Sequence, residues 1–137
     1  MQVLGLDIGE KRIGVASGST ASGVATPVKV MPASDVLANG RSWRMLLEDY
    51  EPELLVCGCP KSMSGAQGKQ AQRVRAAAEK IAAAAGLPLE FVDERLSSAE
   101  AKRYLREMGL SERDMRGKVD CVAASIFLQT WLAQQRR

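Results

Sequence analysis

The sequence predicts an α/β fold in which a mixed sheet of five strands has helices on both faces. Three observations support this prediction. Two short runs rich in Val, Ile and Leu, at residues 3–8 and 13–16, flank a turn at 9–12 and indicate an antiparallel hairpin. From residue 39 onward, strand and helix signals alternate, which is typical of parallel strands joined by helical crossovers. A further apolar stripe at helical spacing occupies residues 118–134.

The hairpin contains one residue that its strand pattern does not explain. Asp7 stands near the end of the first run, where a buried strand would carry another aliphatic side chain. Charged side chains are rarely buried unless they are paired or bind a metal. We therefore expect Asp7 either at an open rim of the sheet or beside a cation.

The elements after the hairpin are predicted in order from their periodicity and their terminating residues. Pro27 indicates that the third strand lies at the edge of the sheet. The first helix carries an apolar stripe that includes Trp43 and Tyr50, and Pro52 ends it. The strands after the hairpin are predicted at 24–31, 53–58 and 89–92. The helices are predicted at 39–50, 69–85, 97–109 and 118–134, with a loop at 60–68.

Length and composition are those of one globular domain, predicted to cover residues 1–137. The hydrophobic fraction of 46% and the charged fraction of 26% are ordinary for such a domain. No apolar run approaches the roughly 20 residues of a membrane helix. The N-terminal residues lack the pattern of a secretory signal, so we expect a cytoplasmic protein with no membrane partner. The net charge of +3 permits a polyanionic partner without requiring one.

The last predicted helix places an acid in the middle of its apolar face. At about 100° per residue, Asp120 falls within the arc of Ala124 and Phe127. Ser125 and Gln129 occupy the opposite, polar arc. An acid in the first turn also favours the positive end of the helix, but such an acid normally faces solvent. We favour the interpretation that Asp120 points inward and has a cationic partner.

A third acidic position follows the predicted strand at 89–92. Asp93 and Glu94 come directly after it, and ligands of open α/β sheets bind beyond the carboxyl ends of parallel strands. The alternative is a loop acid pair bridged to Arg95. Because like charges repel, acids from three separate elements would cluster only around a cation.

The absence of histidine limits the chemistry of this chain. It excludes Ser-His-Asp and Cys-His catalysis and histidine-ligated zinc. Oxygen ligands alone favour Mg²⁺ or Mn²⁺, and carboxylates that hold two such ions support hydrolysis of phosphodiesters. The three cysteines do not form a disulfide framework, and we expect Cys57 and Cys59 to be small buried residues.

Four segments resemble the YqgF/RuvX family of pre-16S rRNA nucleases and Holliday-junction-resolvase-like proteins. Residues 5–16 (GLDIGEKRIGVA) resemble the opening segment of that family, and residues 93–98 (DERLSS) resemble its Asp-Glu-Arg-Leu-(Ser/Thr) segment. Residues 118–124 (KVDCVAA) are similar to its Lys-x-x-Asp-x-x-Ala helix. Residues 58–65 are similar to its Gly-Leu-Pro…Gly loop, although Cys59 stands where the family usually has Leu.

The resemblance implies an RNase H-like fold and metal-dependent cleavage of nucleic acid. It implies that Asp7, Glu94 and Asp120 are both the catalytic residues and the ligands of Mg²⁺ or Mn²⁺, with Asp7 bridging two ions. Asp93 remains an alternative to Glu94, because adjacent strand residues point to opposite faces. The implied substrates are the 5′ end of pre-16S rRNA and Holliday-junction-like DNA. A homodimer would supply the two active sites that a junction resolvase needs.

Several lysines and arginines of predicted loops and helix starts are candidates for binding nucleic-acid phosphates. The alternative for each of these residues is a solvent-exposed side chain that binds no ligand. Few aromatic residues are present, so recognition should favour the backbone over the bases. The candidates are Lys11, Arg12, Lys61, Lys69, Arg95, Arg116 and Lys118.

Two other functions fit parts of the pattern. An ATP-dependent phosphotransferase of the actin and sugar-kinase type also opens with a strand, an Asp-x-Gly turn and a second strand. Such kinases need two lobes, and one lobe uses the whole of this chain. The other alternative is a nucleic-acid-binding module without catalytic activity.

Overall fold

Five strands form one mixed sheet in the computed structural model, which describes residues 1–59, 65–93 and 117–135 and single positions between 103 and 113. The side chains of residues 65–67 are not described. The sheet order is β3-β2-β1-β4-β5. The first three strands are antiparallel, whereas β4 and β5 run parallel to β1. The strands are β1 (Gln2–Ile8), β2 (Arg12–Ser19), β3 (Ala25–Pro32), β4 (Leu54–Gly58) and β5 (Leu89–Val92).

Helices cover both faces of this sheet, which confirms the predicted α/β fold class. The described helices are α1 (Ala33–Leu37), α2 (Arg41–Tyr50), α3 (Gly65–Ala85) and α4 (Val119–Gln134). The helix predicted at 97–109 lies outside the described residues, apart from single positions. No helix in the part of the chain that the structure describes has the length and apolarity needed to cross a membrane.

The two faces of the sheet build two separate cores. Leu4, Leu6 and Ile8 of β1 pack with the helices α1, α2 and α3. Val3 packs with Leu128 and its neighbours on α4. Because side chains alternate along a strand, the face that carries Val3 also carries Asp7. The strand pattern therefore directs Asp7 towards α4.

Three predicted boundaries were wrong or incomplete. The sequence reading missed α1, because five residues are too few to show a helical period. The helix predicted from 39 begins at Arg41. The helix predicted from 69 begins at Gly65, so residues 65–68 of the predicted loop are helical. Gly68 is buried in the structure, and packing there offsets the low helix propensity of glycine.

Two predicted side-chain environments were also wrong. Tyr50 was expected on the apolar stripe of its helix, but it is 39% exposed because it is the last residue of α2. Ser125 was expected on a polar arc, but it is buried. Its hydroxyl donates a hydrogen bond to the carbonyl of Val122, which satisfies the buried polar atom within the helix.

All three cysteines are buried and take no part in a disulfide bond, which confirms the expectation for Cys57 and Cys59. The third, Cys121, lies in the first turn of α4 and donates a hydrogen bond from Sγ to the carbonyl of Lys118 at 3.2 Å. Burial raises the pKa of the Cys121 thiol above its ordinary value, and the negative charge of Asp120 acts in the same direction.

We expect the folded protein to react slowly with Ellman's reagent at about pH 8. Only the thiolate attacks the reagent, and a raised pKa keeps Cys121 in the neutral thiol form. Absorbance at the end point in guanidinium should report all 3 cysteines of the chain. Rapid release of one equivalent from the folded protein in EDTA would contradict this expectation.

Candidate active site

The candidate site begins with the pairing of Asp7 and Gly14 across the hairpin. The two residues are direct partners in the antiparallel register of β1 and β2. Directly opposed Cα atoms lie about 4.5–5.5 Å apart, and their side-chain positions point to the same face of the sheet. The open space above Gly14 is therefore next to the carboxylate of Asp7, on the face that α4 covers.

The first turn of α4 occupies that space. A Cβ atom built on Gly14 would lie 2.1 Å from both the carbonyl carbon and the carbonyl oxygen of Asp120. No side chain fits at this distance, so glycine is required for the helix to approach the strand. A second close approach occurs at Gly5, where a Cβ would lie 3.1 Å from Cβ of Leu128. These contacts bring Asp120 to the end of the sheet where Asp7 lies.

The carboxylate of Asp120 has a cationic partner in the structure. Its Oδ2 atom lies 3.3 Å from Nε of Arg12, and its side chain is 30% exposed, compared with 64% for Arg12. Asp120 is thus half-buried, and its carboxylate lies beside the hairpin turn. An ion pair this exposed contributes only about 0–1 kcal/mol. Asp120 also lies in the first turn of α4, where the positive end of the helix favours an acid. Its environment therefore combines the helix terminus with a cationic partner.

A cleft with a volume of about 670 Å³ opens beside Asp120. The turn between β1 and β2 lines one side of it, including Lys11 and Arg12, and the first turns of α3 line the other. The structure thereby brings together three of the predicted phosphate-binding residues, with Lys69 as the third. Lys118 is exposed and does not line the cleft. The predicted residues Lys61, Arg95 and Arg116 lie outside the described residues.

Besides Gly9 and Glu10 of the hairpin turn, two residues of the cleft that were not predicted to bind phosphate are Gln70 and Arg73. Both lie on α3, and Arg73 follows Lys69 by four residues. That spacing places the two cations on the same side of a helix. The spacing is visible in the sequence, but a local spacing does not show which distant element lies opposite the helix.

The third predicted ligand, Glu94, lies outside the described residues, whereas Asp93 is described. Within the described ranges, no three His, Cys, Asp or Glu side chains form a group that could hold a metal ion. The described carboxylates at or beside the hairpin are those of Asp7, Asp120 and Glu10, and Glu10 lies in the turn. Carboxylate oxygens suit Mg²⁺ and Mn²⁺, and the absence of histidine fits the same ions.

Comparisons with known sequences identify relatives over nearly the full chain. A family model described as RuvX, Holliday junction resolvase, matches residues 1–134. A protein of Anaeromyxobacter sp. (strain Fw109-5) named "Putative pre-16S rRNA nuclease" is 42% identical over 132 residues, which are 96% of each chain. A protein of the same name from Crocosphaera subtropica is 39% identical over 136 residues, covering 99% of this chain and 95% of the relative.

Two solved structures share the fold. RuvC of Thermus thermophilus, solved with a Holliday junction substrate, has a TM-score of 0.59 at 16% identity and covers 99% of this chain and 96% of its own. The resolvase of fowlpox virus, solved with Holliday junction DNA, has a TM-score of 0.56 at 9% identity and full coverage of both chains. At these identities the likeness concerns the fold alone, and it confirms the RNase H-like fold class.

Proposed function

Because the chain belongs to the RuvX family of Holliday junction resolvases, and is thus a nuclease acting on phosphodiester bonds, we propose that it cuts nucleic acid at a divalent-metal site formed by Asp7, Asp120 and Glu94. The observation that supports this site best is the contact between the backbone of Asp120 and Gly14, the strand partner of Asp7. Two acids separated by more than 100 residues in sequence, near the end of β1 and the start of α4, thereby share one corner of the sheet.

The alternation of β5 favours Glu94 over Asp93 as the third ligand. Val92 packs in the core beneath α4, and Glu90 accepts a hydrogen bond from the indole of Trp131 on α4. Even-numbered residues of β5 therefore point to the face of Asp7, and Phe91 packs on the opposite face. A ligand beside Asp7 has to come from this face, which in the alternation of β5 belongs to even-numbered positions, and we therefore propose Glu94 rather than Asp93.

The proposed roles of the three acids are those that the family resemblance implies. Asp7 would be a ligand of both ions, and Glu94 and Asp120 would each be a ligand of one. When bound, such a pair of ions supplies a water activated for attack and stabilises the charge that develops on the phosphate. Arg12 forms an ion pair with the carboxylate of Asp120 and lines the cleft. Its guanidinium can bind a phosphate oxygen there.

We propose structured RNA as the substrate class, in particular the 5′ end of pre-16S rRNA, with branched DNA as the second candidate. The names of the relatives support the first and the family description supports the second. The described cleft contains no aromatic side chain, so it favours recognition of the backbone and of shape rather than of bases. We further propose that residues 1–137 act as one nuclease domain in the cytoplasm, and that a homodimer forms where two cuts are needed.

A substrate panel tests this function. The purified protein with Mn²⁺ is incubated with a labelled precursor of 16S rRNA, a labelled four-way DNA junction and ATP. Metal-dependent cleavage of RNA or junction supports the proposal, and the preferred substrate decides between its two forms. Hydrolysis of ATP without cleavage would instead favour a phosphotransferase, and binding without cleavage would favour a silent binding module.

We expect Mn²⁺ or Mg²⁺ to raise the melting temperature of the protein, because an ion relieves the repulsion between clustered carboxylates. An ion at about 10 times its dissociation constant stabilises the folded state by about 1.4 kcal/mol, which corresponds to a shift of several degrees. Asp120→Asn should reduce the shift, whereas Asp49→Asn on the exposed side of α2 should retain it. The same small shift in all three proteins would show that the ion binds elsewhere.

A further inference from the structure

The cleft beside Asp120 carries a net positive charge, whereas a site that binds metal ions needs negative ligands. Four cationic and two anionic side chains line it, which gives a formal charge of +2. Arg12 is paired with Asp120. Among the described residues, no carboxylate lies within salt-bridge distance of the side-chain nitrogens of Lys11, Lys69 or Arg73. An excess of cations over anions on a concave surface attracts an anionic ligand.

The arrangement of the cations on α3 suits an extended anion. Lys69 and Arg73 are one helical turn apart and project from the same side of the helix. Gln70 lies beside them, and its amide can donate or accept hydrogen bonds. Arg73 is half-buried, so its guanidinium is held more firmly than a fully exposed lysine would be. These residues form a short row that faces the turn between β1 and β2.

The position of the row relative to Asp120 indicates what it binds. Asp120 lines the same cleft, so the row on α3 and the proposed metal site are parts of one continuous surface. A polynucleotide whose scissile phosphate lies at the metal site carries further phosphates on both sides of it. A volume of about 670 Å³ is within the range of about 300–1,000 Å³ typical of ligand pockets. The cleft therefore has room for part of the flanking strand.

We propose that Lys69, Gln70 and Arg73 form a second phosphate site, which binds the backbone of the substrate strand next to the phosphate that is cut. This inference rests on the proposed function, because it takes the scissile phosphate to lie at Asp7 and Asp120. The site is independent of sequence, since its described side chains offer hydrogen-bond donors and charge but no base-stacking surface. It positions the strand and takes no part in the chemical step.

The salt dependence of binding tests the proposal. All variants are made in the full-length chain with Asp7→Asn, so that the substrate stays intact. Affinity for a labelled single-stranded RNA and for a four-way DNA junction is measured as a function of salt. Arg73→Gln is compared with Lys80→Gln, which removes the same charge from an exposed position of the same helix outside the cleft. Melting temperatures confirm that both variants are folded.

Removal of one phosphate contact should lower the slope of log affinity against log salt by about 0.7 for single strands and about 0.9 for duplex arms. We expect this change for Arg73→Gln, a similar change for Lys69→Gln, and none for Lys80→Gln. A lower slope for Arg73→Gln on either substrate supports the second phosphate site, and the substrate that shows it is the nucleic acid that the site binds. Equal slopes for Arg73→Gln and Lys80→Gln on both substrates, or no binding by the parent protein, would overturn it.

The two proposals can fail separately. If the wild-type protein cleaves nucleic acid and the slopes are equal, the nuclease function stands and the second phosphate site is wrong. If the slope changes for Arg73→Gln but the wild-type protein cleaves neither substrate, the phosphate contact at Arg73 stands, whereas the nuclease site and the position of this contact next to a scissile phosphate are wrong.

Discussion

Asp7→Asn is expected to lower the cleavage rate by at least about 100-fold. In the proposed site Asp7 is the acid shared by both ions, and metal stabilisation of the transition state is worth several kcal/mol. Each 1.36 kcal/mol corresponds to a factor of about ten in rate. Asparagine keeps the shape of the side chain and removes its charge, so the fold should be retained. The measurement is the single-turnover rate on the preferred substrate with saturating Mn²⁺.

Asp49→Asn is the matched control for this prediction. It makes the same chemical change on α2, at an exposed residue outside the cleft and the metal site. We expect its rate to equal that of the wild type. If Asp7→Asn retained wild-type activity in a preparation free of other nucleases, the proposed ligand set would be wrong.

Gly14→Ala is expected to reduce stability and activity together. The added Cβ would lie 2.1 Å from the carbonyl group of Asp120, whereas carbon atoms in good contact lie about 3.5–4.0 Å apart. The helix α4 must therefore move by more than about 1 Å. Overpacking of this kind typically costs about 1–3 kcal/mol, which lowers the melting temperature by about 5 °C or more. A displacement of about 1 Å at a catalytic group can reduce the rate by about 100-fold.

Gly117→Ala provides the comparison. This glycine lies two residues before α4, and a Cβ built there would meet no atom of the described part of the chain within 4 Å. We expect no loss of activity and little change in melting temperature, measured by calorimetry and by the single-turnover rate. A Gly14→Ala protein as stable and active as Gly117→Ala would show that α4 does not need the close approach to β2.

A large part of the fold was predictable because strands and helices leave local periods in the sequence. The hairpin, the edge position of β3, the buried strand β4 and the long helix α4 all have runs or stripes of sufficient length. The short helix α1 has no such signal, and the early start of α3 at Gly65 contradicts the low helix propensity of glycine. Packing against the rest of the fold decided these boundaries.

In the candidate site, too, some features were predictable from the sequence and others depend on the tertiary structure. The sequence by itself determined that Asp7 and Asp120 are acids in apolar patterns, and its lack of histidine favours Mg²⁺ or Mn²⁺ over zinc as a metal that they would bind. Only the tertiary structure decided that the two acids share a corner, because this depends on the register that pairs Asp7 with Gly14 and on the docking of α4 over that glycine. It likewise decided that Arg73 faces the hairpin turn across one cleft. Such contacts join residues far apart in the chain, and a local periodicity carries no information about which distant element lies opposite.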